Sequence, residues 1–227
     1  MTENNILKDF FSKDEPRNGM TIFLTFLVAV VIYHASVFWF VLKDDIQSQF
    51  DLENYTIDFE ENSFVYEDSR VVNDDERVTL EFSAPNEMFE SHNGFGILFV
   101  DISYDETSGE LQDRCDTVSV DLTPTGVSAV WGHENNVLSA MNSDCETMSL
   151  VLYVFPNYNG TSLSVAGNDK QFWVNEWMDS SHGQGVFELD VEVSVNNPPG
   201  SVLPTVSDSG EEVNVSWNAV FFDAIVE

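Results

Sequence analysis

The sequence predicts an all-β fold, an antiparallel β-sandwich of the immunoglobulin-like or jelly-roll kind, tethered by one N-terminal transmembrane α-helix. Three observations predict it: an uncharged apolar run, short segments of alternating apolar and polar residues after it, and turn-forming residues between those segments. We expect three regions: a cytoplasmic tail over 1–19, the membrane helix over 20–42, and an acidic extracytoplasmic domain over 43–227.

The apolar run from Met20 to Leu42 has 23 residues and contains no Asp, Glu, Lys or Arg. A helix of this length covers about 34 Å, which is enough to cross the hydrocarbon core of a bilayer. A cleavable signal peptide has a shorter apolar region followed by small residues, whereas this run ends in Phe38-Trp39-Phe40. The run therefore predicts a retained anchor that contacts the lipid bilayer.

The charges beside the run predict its orientation. Lys8, Lys13 and Arg17 precede the run, and only Lys43 follows it closely. Because positively charged flanks stay in the cytoplasm, we expect a cytoplasmic N-terminus and a C-terminal domain outside the cell membrane.

Small residues within the run share one helical face. Thr21, Thr25, Ala29 and Ser36 lie at spacings that place them together, and small residues allow another helix to approach closely. This face predicts helix pairing in the membrane. The alternative is that these residues contact lipid.

Alternating segments after the anchor predict half-buried strands. The clearest runs from Val186 to Val195, where every second residue is apolar. Two other segments, Phe95–Ile102 and Met148–Phe155, are apolar on both faces and predict central strands covered on both sides. Further strands are predicted at 56–59, 78–82, 117–122, 127–131, 162–165, 171–177 and 213–217.

The stretch from Asn196 to Gly200 contains two prolines and resembles a linker. The following Glu211–Trp217 segment is similar to the opening strands of a fibronectin type III module. Because little sequence follows, we expect a final strand that returns to the sandwich, and no function is inferred from the resemblance.

The net charge of the chain excludes nucleic-acid binding. The chain has 40 Asp and Glu against 8 Lys and Arg, a formal charge of −32, and the whole excess follows residue 43. Nucleic-acid binding needs basic patches that are missing here.

A content of 43% hydrophobic residues is too high for a disordered acidic chain. Carboxylates on the outer faces of the strands predict a folded domain that is more stable in concentrated salt, as in a saline habitat.

The two cysteines, Cys115 and Cys145, each precede a predicted strand, with the predicted strand 127–131 between them. In a meander both strands would begin at the same end of the sheet, so a disulfide is predicted, and an outer compartment permits it. Closing a loop of this size stabilises the fold by about 3.6 kcal/mol in the loop-entropy model.

Carboxylates at Asp101, Asp105, Glu106 and Glu110 surround one loop and predict a candidate calcium site, because calcium binds six to eight oxygen ligands. The spacing does not match an EF-hand loop, and the alternative is a solvated acidic surface. No other cofactor is predicted.

Two further patterns, a histidine beside hydroxyl groups and three glycosylation sequons, do not predict an activity. The segment 180–185 places His182 beside hydroxyls, but no G-x-S-x-G motif occurs, so we interpret it as a loop. Asn54, Asn159 and Asn214 begin glycosylation sequons, which are compatible with secretion.

We expect a non-enzymatic role as a protein-interaction, adhesion or accessory-subunit module, with a protein partner or a second copy of the chain. Trp173, Trp177 and Met178 could supply a contact patch, although most of them could instead belong to the core. The alternative is an extracytoplasmic calcium-binding domain or an enzyme that uses the acidic loops.

Overall fold

The computed structural model describes residues 14–43, 53–105, 115–196 and 210–227. The chain divides into two units, Met1–Glu53 and Asn54–Glu227. The first contains a helix, and the second contains two antiparallel β-sheets.

The first unit is built around helix α1 (Asp14–Val37), which continues into a π-helical turn over Phe38–Leu42. The segment Gly19–Leu42 is long and apolar enough to cross a membrane, and the residues of its most apolar stretch are not buried.

Two hydroxyls of this helix donate to backbone carbonyls one turn earlier. Oγ1 of Thr25 donates a 2.8 Å hydrogen bond to the Thr21 carbonyl, and Oγ of Ser36 donates a 2.7 Å bond to the Ile32 carbonyl. At the C-terminal end, Nζ of Lys43 lies 4.6 Å from the ring centroid of Trp39. An indole and an ammonium group at this position suit a membrane interface.

The second unit is mostly β. Its described strands are β1 (Asn54–Asn73), β2 (Arg77–Phe82), β3 (Gly94–Tyr104), β4 (Thr117–Thr123), β5 (Ser139–Asn142), β6 (Met148–Tyr153), β7 (Leu163–Ala166), β8 (Phe187–Ser194) and β9 (Gly210–Val226). Two short helices complete it, α2 (Asn86–Ser91) and α3 (Lys170–Glu176).

The strands form a five-stranded sheet in the order β6-β3-β9-β1-β7 and a four-stranded sheet in the order β2-β8-β4-β5. Four pairs are nested along the chain: β1 with β9, β2 with β8, β3 with β6, and β4 with β5. The chain therefore doubles back on itself at the β4–β5 connection. β9 occupies the centre of the five-stranded sheet, between β3 and β1.

The main core lies between the two sheets. On β8 the alternating residues Phe187, Leu189, Val191 and Val193 are all fully buried, as the alternation predicts. They share one cluster with residues of the five-stranded sheet, including Trp217. Burial of these side chains is the principal source of stability for a fold of this size.

A second apolar cluster covers the outer face of the five-stranded sheet. We call it the outer cluster; its buried members are Ile57, Ile97, Phe155, Tyr158, Trp177, Phe222 and Val226. This second layer explains why β3 is apolar on both faces. Gly96 is required there, because a Cβ at this position would lie 2.2 Å from Cε1 of Tyr158.

Two predicted strands are wrong. Residues 171–177 lie mainly in helix α3, which Asp169 begins by accepting a 2.7 Å hydrogen bond from the Phe172 amide at its Oδ1. Residues 127–131 form no strand but a turn-rich loop, in which Nε1 of Trp131 donates to the Val127 carbonyl. One apolar side chain in each segment, Val127 and Trp177, is buried without belonging to a strand.

The disulfide joins Cys115 and Cys145, whose Cα atoms are 5.5 Å apart. The predicted meander that led to this pair is wrong, because β4 belongs to the four-stranded sheet and β6 to the five-stranded sheet. Cys145 lies in the connection that crosses from β5 to β6. The bridge therefore links the entry to β4 with a crossing between the sheets.

Candidate binding cleft

A cleft of about 440 Å³ opens beside the outer cluster. Helix α3, the turn after β6 and the segment 177–182 form its walls. Its lining combines aromatic rings with carboxylates and amides, a mixture typical of sites that orient a ligand by a few polar groups.

The aromatic wall is rigid. The indole of Trp177 stacks on Phe155 with centroids 5.5 Å apart and planes inclined by 17°. Both residues are only 5% exposed, so their positions are set by the outer cluster. Nε1 of Trp173 donates a 2.8 Å hydrogen bond to the Gly167 carbonyl, which holds the second indole in place.

The polar wall carries negative charge from Glu176 and Asp179. Oδ1 of Asp179 accepts a 2.9 Å hydrogen bond from the Ser181 amide. Hydrogen bonds from Ser181, with a smaller contribution from His182, lower the pKa of the Asp179 carboxyl. No Lys or Arg within the described ranges forms an ion pair with either carboxylate. The cleft therefore holds negative charge that no Lys or Arg of the described ranges neutralises.

At one end of the cleft, His182 lies between a hydroxyl and a carboxylate. Oγ of Ser128 is 3.1 Å from Nδ1 of His182, and Oδ2 of Asp179 is 3.5 Å from Nε2. Sequence reasoning missed Ser128, because it lies 54 residues before His182 and no short motif links them. The Asp179 side chain is 48% exposed, and 3.5 Å exceeds a good hydrogen bond, so the carboxylate orients the imidazole only weakly.

The predicted contact patch belongs to this cleft. Trp173, Trp177 and Met178 all line it. Trp177 is a core residue of the outer cluster, whereas Trp173 is half-buried and Met178 is 55% exposed. The patch is thus an exposed rim on a buried base.

The predicted calcium loop falls partly outside the described residues, since Glu106 and Glu110 are not among them. Oδ1 of Asp101 accepts a 2.5 Å hydrogen bond from Ser149 on the neighbouring strand, and Asp105 lies just after β3. Within the described part of the chain, no three His, Cys, Asp or Glu residues are grouped as metal ligands. The calcium site stays a prediction.

The three sequon asparagines, Asn54, Asn159 and Asn214, are all exposed. Asn159 lies in a loop, where its Oδ1 accepts hydrogen bonds from the amide and the hydroxyl of Thr161. The other two lie on β1 and β9. Accessibility is compatible with modification at each site, which stays a prediction.

No protein-family model matches the chain, and no curated protein matches its sequence. Solved structures from viruses are similar to it. The match to the Triatoma virus empty capsid has 10% identity and a TM-score of 0.35, covering 73% of this chain and 89% of that one. The match to Mud crab tombus-like virus has 13% identity and a TM-score of 0.34, and it covers 74% of this chain and 92% of that one.

A third similar structure, that of nora virus, has 8% identity and a TM-score of 0.33. The match covers 72% of this chain but only 59% of the nora virus chain.

Proposed function

We propose that the chain is a single-pass membrane protein that displays an acidic jelly roll outside the cell and acts there as a non-enzymatic interaction module. Its N-terminal tail lies in the cytoplasm, and its partner is another protein or a second copy of the chain. Adhesion and an accessory-subunit role are both within this proposal.

The strand pairing supports the jelly-roll alternative. An immunoglobulin sandwich has strands ABED in one sheet and CFG in the other, so its first and last strands lie in different sheets. Here β1 and β9, the first and last strands, pair along their lengths, and β2 pairs with β8 inside them. Nested pairing of this kind is that of a double-sheet jelly roll.

The observation that carries the interaction role is the cleft, with its aromatic wall and the exposed Met178 at its rim. Interface centres are enriched in Trp, Phe and Met, whereas ordinary surfaces are not. Few surface carboxylates are paired, since Arg77–Glu192 is the one Lys or Arg ion pair among the described residues. The cleft is therefore the place in the domain where we expect a partner to bind.

Site-specific photocrosslinking tests this proposal in the native membrane. A benzophenone amino acid at Met178 should give a stoichiometric adduct with a partner, which mass spectrometry of the purified adduct identifies. The matched control is Met141, which is 72% exposed but lies on β5 of the other sheet. Equal adducts from both positions, or none from Met178, would contradict the proposal.

The helix-pairing face needs its own crosslinking position. A photoreactive residue at Ala29 tests pairing through Thr21, Thr25, Ala29 and Ser36, and Val31 on another face is the control. An adduct from Ala29 alone would support pairing in the membrane, while lipid adducts from both positions would oppose it.

Orientation is tested with single cysteines. An impermeant maleimide should label Ser164→Cys on β7 in intact cells and should not label Ser12→Cys in the tail until the membrane is opened. The reverse pattern would overturn the proposed topology.

The calcium alternative has a separate readout. If Asp101 and Asp105 belong to a calcium site, millimolar calcium should raise the melting temperature of the full chain, and magnesium should not. Unchanged melting would remove this alternative and leave the interaction role unaffected.

A further inference from the structure

We infer that the cleft binds an arginine side chain presented by a partner protein. This inference rests on the proposed interaction role and specifies the chemistry of the partner. Three features of the cleft support it: the half-buried indole of Trp173, the two carboxylates and the charge of the surrounding domain.

The aromatic wall suits a flat cation. Guanidinium groups are attracted to the faces of indole rings and stack on them, and Trp binds cations better than Phe or Tyr. Both indoles line the cleft, but Trp177 is 5% exposed and stacked on Phe155, so the half-buried ring of Trp173, held by its hydrogen bond to the Gly167 carbonyl, is the one open to a guanidinium. Because these rings are fixed before a ligand arrives, little side-chain entropy is lost on binding.

The carboxylates suit the same group. Glu176 and Asp179 flank Trp177 and Met178 in sequence and line the same cleft. A guanidinium carries five N–H donors in a planar fork, which matches carboxylate oxygens, whereas a lysine ammonium lacks this planar geometry. The lowered pKa of Asp179 keeps this carboxylate charged in neutral and mildly acidic solution.

The negative charge of the outer domain attracts positively charged ligands. The sequence after residue 43 has 36 Asp and Glu against four Lys and Arg. A field of this sign raises the local concentration of cationic groups and repels anions. Lys170, the base on α3, forms no ion pair within the described part of the chain, and among the described basic side chains only His182 lies beside one of these carboxylates, 3.5 Å from Asp179.

The size of the cleft also matches an arginine side chain. A volume of about 440 Å³ accepts an arginine side chain with part of its backbone. Met178 at the rim has a flexible, polarizable side chain that can pack against the aliphatic stem of the arginine. The ligand is thus one anchor residue of an exposed segment rather than a whole domain.

The test uses the full chain in nanodiscs, labelled with fluorotryptophan, and a blocked Gly-Arg-Gly peptide as the probe. The same peptide with citrulline, a neutral isostere of arginine, is the control ligand. We expect fluorine NMR signals of Trp173 and Trp177 to shift saturably with the arginine peptide and not with the citrulline peptide. Trp39, Trp131 and Trp217 do not line the cleft and serve as internal references.

Paired variants separate local contacts from the general field. The double variant Glu176→Gln/Asp179→Asn should weaken binding of the arginine peptide at least tenfold. Glu81→Gln/Glu146→Gln removes the same net charge from exposed positions that do not line the cleft, and it should change the affinity less than twofold. The reference spectrum of each variant reports whether it is folded.

Two results would overturn the inference: equal shifts with arginine and citrulline peptides, or equal loss of affinity in both double variants. These failures differ from failure of the proposed function. A partner crosslinked at Met178 whose binding is unaffected by Glu176→Gln/Asp179→Asn would preserve the interaction role and exclude the arginine anchor.

Discussion

The hydroxyl of Tyr158 donates a 2.6 Å hydrogen bond to Oε1 of Glu61. Tyr158 is 1% exposed, and its ring stacks on Phe222 with centroids 4.4 Å apart. Glu61 lies on the exposed part of β1, so the bond joins the covering segment of the outer cluster to the sheet beneath it. It fixes the base on which the cleft is built.

Removing this hydroxyl should destabilise the domain. Tyr158→Phe is expected to lower the free energy of unfolding by about 1–2 kcal/mol, because a hydrogen bond to a charged group is lost but its acceptor is open to water. Guanidinium denaturation measures the loss. Tyr66→Phe is the control: Tyr66 is 44% exposed, and its change should be within about 0.5 kcal/mol. Equal losses in the two variants would mean that the bond contributes nothing.

Alkaline solution should destabilise the domain through two tyrosines. Burial raises the pKa of Tyr104 and of Tyr158, and in Tyr158 the hydrogen bond to Glu61 adds to it. Above about pH 10 these phenols ionise in the unfolded chain but stay protonated in the folded one, so the free energy of unfolding falls as pH rises. Denaturation at a series of alkaline pH values measures the slope, which Tyr104→Phe and Tyr158→Phe should reduce. Ionisation of both phenols in the folded protein below pH 10 would contradict this.

Strands with strict alternation were predictable because the two faces of a sheet have different environments. Phe187 to Val193 on β8 illustrate this, since the inward residues are buried and the outward ones contact solvent. The same reasoning explains Gly94–Leu98 on β3, whose consecutive apolar residues are buried by two separate clusters. Cover on the second face of β3 was predicted, but the residues that supply it were not.

The cleft was less predictable for two physical reasons. The segment around Trp173 is helical because Asp169 caps it, a local effect that outweighs the strand preference of its aromatic residues. The contact between Ser128 and His182 depends on how distant loops meet, and no local pattern encodes that. By contrast, Cys115 and Cys145 were paired correctly from an incorrect topology, because their proximity depends on the loops and not on the assumed meander.

Salt should stabilise the domain. The sequence after residue 43 carries 36 acids against four bases, and Arg77–Glu192 is the one Lys or Arg ion pair in the described ranges, so most carboxylates repel one another. Raising NaCl from about 0.1 M to about 1 M shortens the Debye length from about 10 Å to about 3 Å and weakens this repulsion. We expect the melting temperature to rise, as calorimetry or circular dichroism will show. Potassium chloride at equal ionic strength should raise the melting temperature by the same amount. An unchanged melting temperature would show that repulsion between carboxylates does not significantly destabilise the domain.

Ser128 should not act as a nucleophile. A serine hydrolase needs a base held by a buried carboxylate and donors that stabilise the oxyanion, and the half-exposed Asp179 lies 3.5 Å from His182. Incubation with a fluorophosphonate probe should leave Ser128 unlabelled, and peptide mass spectrometry checks this directly. Ser128→Ala should remove only an exposed hydroxyl contact and change the free energy of unfolding by less than about 1 kcal/mol. Covalent labelling that disappears in both Ser128→Ala and His182→Gln would instead show an activated serine, and the non-enzymatic assignment would then be wrong.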